Sequence, residues 1–142
     1  FRRSVRRAQQ TLKRRFQPFV TPFKHMGFDH AVATGGTIQR LAHIAQVLTG
    51  QKRETIHGLV LTRETLDDIV NRLSTAQTRE NRLQIPGIDS ERVDVILGGA
   101  LIFQALTSVF AIKTWTVSMS ALRTGLLIVP PGDRLETGDV DA

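Results

Sequence analysis

The sequence predicts an α/β protein that is helix-rich and has few strands. Apolar residues recur at helical spacing through most of the chain, whereas only two short runs read as strands, HAVAT at residues 30–34 and TWTVS at residues 114–118. Two strands cannot form an independent sheet of any size. The chain also starts at Phe1 inside a helical pattern. We therefore expect an incomplete lobe, whose strands extend a sheet formed by another part of a longer protein.

Composition narrows the classes of function. The 142 residues, 41% of them apolar, can bury one sizeable core. The chain has no cysteine, which excludes disulfides, thiolate metal sites and a cysteine nucleophile. Because no signal-peptide pattern is present either, we expect a cytoplasmic protein. The formal net charge of +6 raises the question of an anionic partner, although much of that charge lies in the first helix.

The first predicted helix covers residues 1–17 and is amphipathic. Its apolar side carries Phe1, Val5, Ala8, Leu12 and Phe16. Its basic side carries Arg2, Arg3, Arg6, Arg7, Lys13 and Arg14. Pro18 and Pro22 are expected to end this helix and to lead the chain through a loop. HAVAT then forms a buried strand that ends at two glycines.

A second helix is predicted from Thr37, and Gly50 lies just beyond its end, the usual position of a left-handed cap. The run HGLVLT, residues 57–62, reads as a short extended piece rather than a strand. Thr62 is a good N-cap for the helix that follows. A polar helical stretch near residues 75–83 then leads to the turn IPGIDS.

The segment Val93–Ile112 is nearly continuous in apolar character and approaches the length of a membrane span. It carries Asp94 near its start, Gln104 in its middle and a pair of glycines. These residues favour a central buried helix of a soluble protein. Asp89 or Ser90 is expected to cap this helix.

The turn Gly35-Gly36-Thr37 joins a strand to a helix. Free backbone N–H groups and the helix dipole at such a point favour an anion, and the threonine hydroxyl adds a donor. Glycine also lets a phosphate approach the backbone closely. Because strand-to-helix turns often use glycine for geometry alone, phosphate binding and a plain corner are both open on these residues.

Gly98 and Gly99 lie inside the long apolar helix, where two glycines cost about 2 kcal/mol relative to alanine. A crossing helix at close range, a kink or a ligand against the backbone would each offset this cost. Arg123 lies in SALRTGLLIV, residues 120–129, which is expected to form a closing helix or turn. This arginine can bind phosphate or pair with a core carboxylate. Residues from Pro130 onward are expected to be a linker or a frayed end.

Other catalytic patterns are absent from the sequence. The four histidines lack metal-ligand spacing, and no nucleophile elbow or Walker loop occurs. No carboxylate is placed as an evident general base. With no tyrosine and a single tryptophan, a base-stacking nucleic-acid module is not expected.

Three segments, in order, resemble the Ppx/GppA family of exopolyphosphatases and guanosine pentaphosphate phosphatases. VATGGTIQRLAHI is similar to the family's glycine-threonine loop and the helix after it. WTVSMSALRTGLL is similar to the family's Val-Ser…Leu-Arg-Glu-Gly-Leu ending. Between them, IPGIDSERVDVILGGALIFQAL echoes the family's Gly-x-x-x-x-Arg-x-Asp-x-Ile-x-x-Gly run at Gly87, Arg92, Asp94, Ile96 and Gly99.

The resemblance implies a ribonuclease-H-like fold of the actin, sugar-kinase and Hsp70 type, in which two such domains enclose the active cleft. Residues 1–129 would be the later part of the second domain, and residues 130–142 a tail or linker. The general-base glutamate and both phosphate loops, which would hold Mg²⁺ and the attacking water, would lie outside this chain. The chain would then contain no catalytic residue and no metal ligand, and we expect it to be inactive alone.

By the same resemblance, the glycine turn forms a wall of that cleft. The candidate residues for binding phosphate or substrate are Thr34, Gly35, Gly36, Thr37, Gly98, Gly99 and Arg123. The sequence departs from the family at Thr124, where an acid is common, and at Met119-Ser120, which replace a more polar pair. If the family's acid supports the cleft, these departures predict an altered substrate preference or a lower activity.

The favoured function is hydrolysis of terminal phosphoanhydride bonds of polyphosphate or guanosine pentaphosphate by the intact protein. The expected partners are that substrate and the missing N-terminal lobe of the same protein. No membrane partner is expected, nucleic acid is disfavoured, and the oligomeric state, a homodimer included, stays open. One alternative is a non-catalytic module that senses nucleotide or polyanion in the same cleft. Another is a nucleic-acid binder acting through the basic first helix, a surface that could also steer polyphosphate.

Overall fold

The computed structural model describes residues 1–51, 53–120 and 124. A 3₁₀ turn, Gln17–Phe19, joins the first two helices. The helices are α1 (Arg2–Phe16), α2 (Val20–Met26), α3 (Gly36–Thr49), α4 (Arg63–Thr75), α5 (Arg79–Leu83) and α6 (Ile96–Val109). The strands are β1 (Val32–Thr34), β2 (Val60–Thr62) and β3 (Thr114–Ser118). The chain is thus helix-rich with few strands, as the sequence predicts.

The three strands form one sheet in the order β1-β3-β2. β1 is parallel to β3, with Ala33 opposite Val117, and β2 is antiparallel to β3, with Leu61 opposite Trp115. The extended piece before α4 is therefore a third strand, and the expectation of only two strands is wrong. Strand β2 ends at Thr62, which is also the N-cap of α4, and only the ladder to β3 identifies it as a strand.

The core lies between one face of the sheet and the helices. The sheet contributes Ala33, Leu61, Trp115 and Val117, all buried. Helices α3 and α4 contribute the fully buried side chains Ile38, Leu41, Ile44, Leu66, Ile69 and Leu73. The opposite face of the sheet is open in the described part of the chain, since Val32 is 61% and Val60 53% exposed.

Helix α6 occupies the centre and contacts α1, α3 and α4. It also anchors β3: the indole Nε1 of Trp115 donates to Thr107 Oγ1 at 2.8 Å, and that hydroxyl donates to the Phe103 carbonyl at 2.7 Å. The Phe103 ring meets the indole edge to face at 5.3 Å. Each helix in the described part of the chain is too short or too polar to span a bilayer.

The sequence suggests that the two prolines lead the chain into a loop, but they do not. Pro18 lies at the start of the 3₁₀ turn, and Pro22 lies in the first turn of α2. Proline is tolerated at both places because the N–H groups at the start of a helical segment have no intrahelical acceptor. The chain therefore continues as helical structure through both residues.

Helix ends follow the predicted caps in two cases out of three. Gly50 is left-handed (φ 66°) at the end of α3, and Thr62 Oγ1 accepts from the N–H of Thr65 at the start of α4. The prediction that Asp89 or Ser90 caps the long helix is wrong, because α6 begins only at Ile96. Turns fill the interval, and Asp89 Oδ1 accepts from the N–H of Glu91 instead.

Candidate functional site

A groove of about 580 Å³ lies where β1 ends and α3 begins. One wall is the first turn of α3, with Gly36 and Thr37, and the other is the turn that leads into α6, with Arg92 and Ile96. The groove is at the carboxyl end of β1, which is parallel to β3. In open α/β sheets, that end is the usual place for a ligand. Its volume is in the range of small-molecule sites.

The start of α3 presents backbone donors to this groove. Gly35 at the N-cap has φ 100° and ψ 169°, a conformation that is essentially restricted to glycine, and it has no side chain with which to cap the helix. Neither Gly36 nor the rest of the first turn adds an acidic residue. The free N–H groups and the positive end of the helix dipole therefore face solvent, which favours an anion.

Three basic side chains line the same groove. Arg40 follows Gly36 by one helical turn, His43 lies one turn further, and Arg92 comes from the opposite wall. The guanidinium of Arg40 pairs with Asp89 Oδ2 at 2.8 Å, so that its charge is partly neutralised. Arg92 is exposed and has no ion pair with any residue that the structure describes. The groove thus has one arginine held in place and one available to a ligand.

No carboxylate is among the residues that line the groove in the described chain. Across residues 1–51, 53–120 and 124, no group of three or more His, Cys, Asp or Glu side chains could hold a metal ion. These residues therefore do not fit a Mg²⁺ site, and they offer no carboxylate to activate water. What the arrangement can do is bind and orient an anion.

The structure brings together two of the sequence-predicted residues, Gly36 and Thr37, in the groove wall. Gly35 shapes the turn behind them. Thr34 ends β1 with an exposed side chain, and its hydroxyl donates to the Ser120 carbonyl at 2.5 Å, which ties the end of β1 to the residues after β3.

The glycine pair of α6 has two different surroundings. A Cβ added to Gly99 would overlap the Cγ2 methyl of Thr37, whereas one added to Gly98 would meet no atom within 4 Å. Close approach of α3 to α6 thus accounts for Gly99. Gly98 is exposed, and its contact with a ligand stays a prediction. Arg123, the tail from Pro130 and all of the predicted closing segment except Ser120 and Thr124 lie outside the described residues.

Sequence reasoning did not select Arg40, His43 or Arg92 as site residues. Arg40 could have been found, because a residue four positions after Gly36 lies on the same helix face. Arg92 reaches the groove because the turn around Gly87 packs on α3. A Cβ there would lie 3.0 Å from Ile44 Cα. Such an approach between distant segments has no local signal.

Comparison with known proteins adds to this geometry. The family model described as the Ppx/GppA phosphatase family matches residues 1–129. A Haemophilus influenzae protein, named as a candidate exopolyphosphatase, is 25% identical over 125 residues. That match covers 87% of this chain and 36% of the other protein.

Two solved structures share the fold. The Aquifex aeolicus member of the Ppx/GppA family superposes with a TM-score of 0.75 at 24% identity, over 89% of this chain and 40% of that one. An exopolyphosphatase from Cytophaga hutchinsonii superposes with a TM-score of 0.72 at 17% identity, over 87% of this chain and 40% of that one. The chain thus spans well under half the length of the relatives that it matches.

Proposed function

Because the chain belongs to the Ppx/GppA phosphatase family and has its ribonuclease-H-like fold, we propose that it supplies one anion-binding wall of a phosphohydrolase. The proposed reaction is cleavage of a terminal phosphoanhydride bond of polyphosphate or guanosine pentaphosphate. The rest of the same protein would form the opposite wall and hold the substrate from the other side.

The observation that carries this proposal is the convergence of the α3 N-terminus and Arg92 on one groove. Backbone N–H groups and a guanidinium are the donors that proteins commonly use for phosphate oxygens. No carboxylate among the groove-lining residues would repel the anion. The fixed pair of Arg40 with Asp89 leaves Arg92 as the cation that is free to engage a phosphate.

In the reaction, these residues bind and orient. The α3 amides and Arg92 would hold the phosphates next to the scissile bond and stabilise the charge that develops there. We assign the activation of water, and the Mg²⁺ that would neutralise the leaving phosphate, to residues outside this chain. The groove lining has no carboxylate, and the described residues offer no metal site.

The test uses the full-length protein that contains this chain, with tripolyphosphate and guanosine pentaphosphate as substrates. Arg92→Gln should raise KM about tenfold or more, because a hydrogen bond to a charged group contributes about 1.5–3 kcal/mol. Arg53→Gln is the matched control, since Arg53 is exposed and does not line this groove. Equal kinetics for wild type and the Arg92 variant would reject the proposal.

A second variant examines the backbone donors. Gly36→Val places a branched side chain in front of the first turn of α3, where an added Cβ meets no protein atom within 4 Å. We expect weaker substrate binding with unchanged thermal stability. If both the affinity and the stability are unchanged, the α3 N-terminus does not contact the substrate.

A non-catalytic nucleotide or polyanion sensor is the second candidate, and the lack of a carboxylate among the described groove residues favours it. A sensor would bind guanosine pentaphosphate without consuming it. Phosphate release by the purified full-length protein, measured against a metal-free control, separates the two functions.

A further inference from the structure

Helix α1 has a basic surface that the proposed groove does not use. This basic face consists of Arg2, Arg3, Arg6, Arg7, Lys13 and Arg14. All six residues are exposed. Arg3, Arg7 and Arg14 lie opposite to the buried Val5 and the half-buried Leu12, whereas Arg2, Arg6 and Lys13 flank that apolar side. The helix contains no aspartate or glutamate, so its charge is entirely positive.

The basic face brings like charges close together. Arg2 and Arg6, and likewise Arg3 and Arg7, are spaced i, i+4, an arrangement of like charges that destabilises a helix. None of the six takes part in the ion pairs found among the described residues, which join Arg40, Arg72 and Arg79 to aspartates. An anionic partner would relieve this repulsion.

The basic face starts close to the groove. The guanidinium of Arg82 lies 5.5 Å from the centre of the Phe1 ring and donates to the Val93 carbonyl at 3.4 Å. Val93 directly follows Arg92, so the Arg82 side chain links the start of α1 to the backbone next to Arg92. Further along, Gln9 Nε2 donates to Gln104 Oε1 at 2.8 Å.

These two contacts set the direction of α1. Residue 1 lies near residue 93 and residue 9 lies near residue 104, so α1 and α6 run side by side in the same direction. Fifteen residues of helix extend about 22 Å. The basic face therefore leads from the vicinity of Arg92 away from the groove along the length of α1.

We propose that the basic face of α1 is a second binding site, which holds the distal part of a linear polyphosphate whose end occupies the groove. This inference rests on the proposed function and narrows it to long-chain polyphosphate, because guanosine pentaphosphate is too short to reach along α1. The basic face contains no aromatic residue on which a base could stack, so it favours a chain of bare phosphates over nucleic acid.

The test compares chain lengths in the full-length protein. The triple variant Arg3→Gln/Arg7→Gln/Arg14→Gln removes three charges from residues that do not line the groove. For long-chain polyphosphate, KM should rise about tenfold and its dependence on salt should become weaker. For tripolyphosphate, kcat and KM should stay within about twofold of wild type, because the short substrate does not reach α1.

Two matched variants control for charge and folding. Arg15→Gln/Arg53→Gln/Lys113→Gln removes the same number of exposed charges away from the basic face and should leave both substrates unaffected. Arg3→Lys/Arg7→Lys/Arg14→Lys keeps the charge and should retain most of the preference for long chains. Equal losses for both substrates, or no loss for either, would overturn the second site.

Direct binding separates this inference from the proposed function. If the wild-type protein hydrolyses neither substrate, fluorescence polarisation with labelled long-chain polyphosphate still reports on the basic face. Loss of that binding in the glutamine triple variant supports the second site even though the enzymatic proposal has failed. If an unlabelled single-stranded oligonucleotide displaces the labelled polyphosphate at a lower concentration than unlabelled polyphosphate does, the site binds nucleic acid and the inference is wrong.

Discussion

Gly35 and Gly36 are neighbours in the sequence but need glycine for different reasons. Gly35 has φ 100°, in a region that other residues enter only with strain, whereas Gly36 is helical and faces open space. Sequence inspection treats them as one motif. Their geometry separates a residue that shapes the turn from one that leaves the groove open.

This difference predicts opposite outcomes for two similar substitutions. Gly35→Ala should lower the free energy of unfolding by about 1–3 kcal/mol, since the backbone there is essentially restricted to glycine. Gly36→Ala should change it by less than about 0.5 kcal/mol, as for other exposed sites. Urea denaturation of both variants is the measurement, and equal effects would contradict the geometry.

Glu64 gives a pH-dependent prediction at the start of α4. Hydrogen bonds from its own backbone N–H and from the Thr62 hydroxyl, with a smaller contribution from Arg63, lower its pKa below the ordinary 4.5. A carboxylate whose pKa is lower in the folded than in the unfolded protein stabilises the fold at any pH above its unfolded-state pKa. That stabilisation disappears as pH falls through the lower folded-state pKa.

Glu64→Gln should therefore lower the melting temperature at neutral pH and have little effect well below pH 4.5. Glu54→Gln is the control, because it alters an exposed carboxylate outside any helix. Asp68→Asn is unsuitable, because Asp68 pairs with Arg72. A pH-independent effect of Glu64→Gln would show that its charge is not the cause.

The distance between helices α3 and α6 depends on one contact between them. Thr37 on α3 fills the space that a side chain at position 99 would occupy. The glycine therefore sets how closely the two helices approach and, through Thr37, where the groove wall lies. Gly98 is one residue away and has no such constraint.

Gly99→Ala should destabilise the protein by about 1–3 kcal/mol, which is the usual cost of overpacking. The double variant Gly99→Ala/Thr37→Ala should recover most of that loss, because it removes the clashing methyl. Gly98→Ala is the internal control and should stabilise the helix by up to about 1 kcal/mol. A double-mutant cycle in urea with no coupling energy would rule out the packing explanation.

At the scale of the whole molecule, the question is which part binds the substrate and which part cleaves it. The described residues bring a helix N-terminus and two arginines to one groove, but they provide neither a metal cluster nor a carboxylate in its lining. The matched relatives are more than twice as long as the part that this chain covers. We infer that binding and bond cleavage are divided between different parts of one protein.

Residues 1–142 produced alone should therefore bind polyphosphate weakly and release no phosphate from it, whereas the full-length protein should be active. Malachite-green detection of phosphate release on equal molar amounts is the measurement. Turnover by the isolated chain at a rate comparable to that of the full-length protein would contradict this division.

The sequence alone determined the properties that depend on neighbours along the chain. The amphipathic pattern of α1, the Thr62 cap and the left-handed Gly50 are local, and each is present where the sequence predicts it. The family resemblance is also confirmed, because its motifs are short ordered runs of residues.

Only the tertiary structure decided what depends on segments far apart in the chain. The third strand exists because β3 pairs with it, and Arg92 enters the site because the Gly87 turn packs against α3. Neither event leaves a periodic or compositional signal, since its energy comes from contacts that form only when remote segments meet. The glycine turn was visible in the sequence, but the arginine that lies across the groove from it was not.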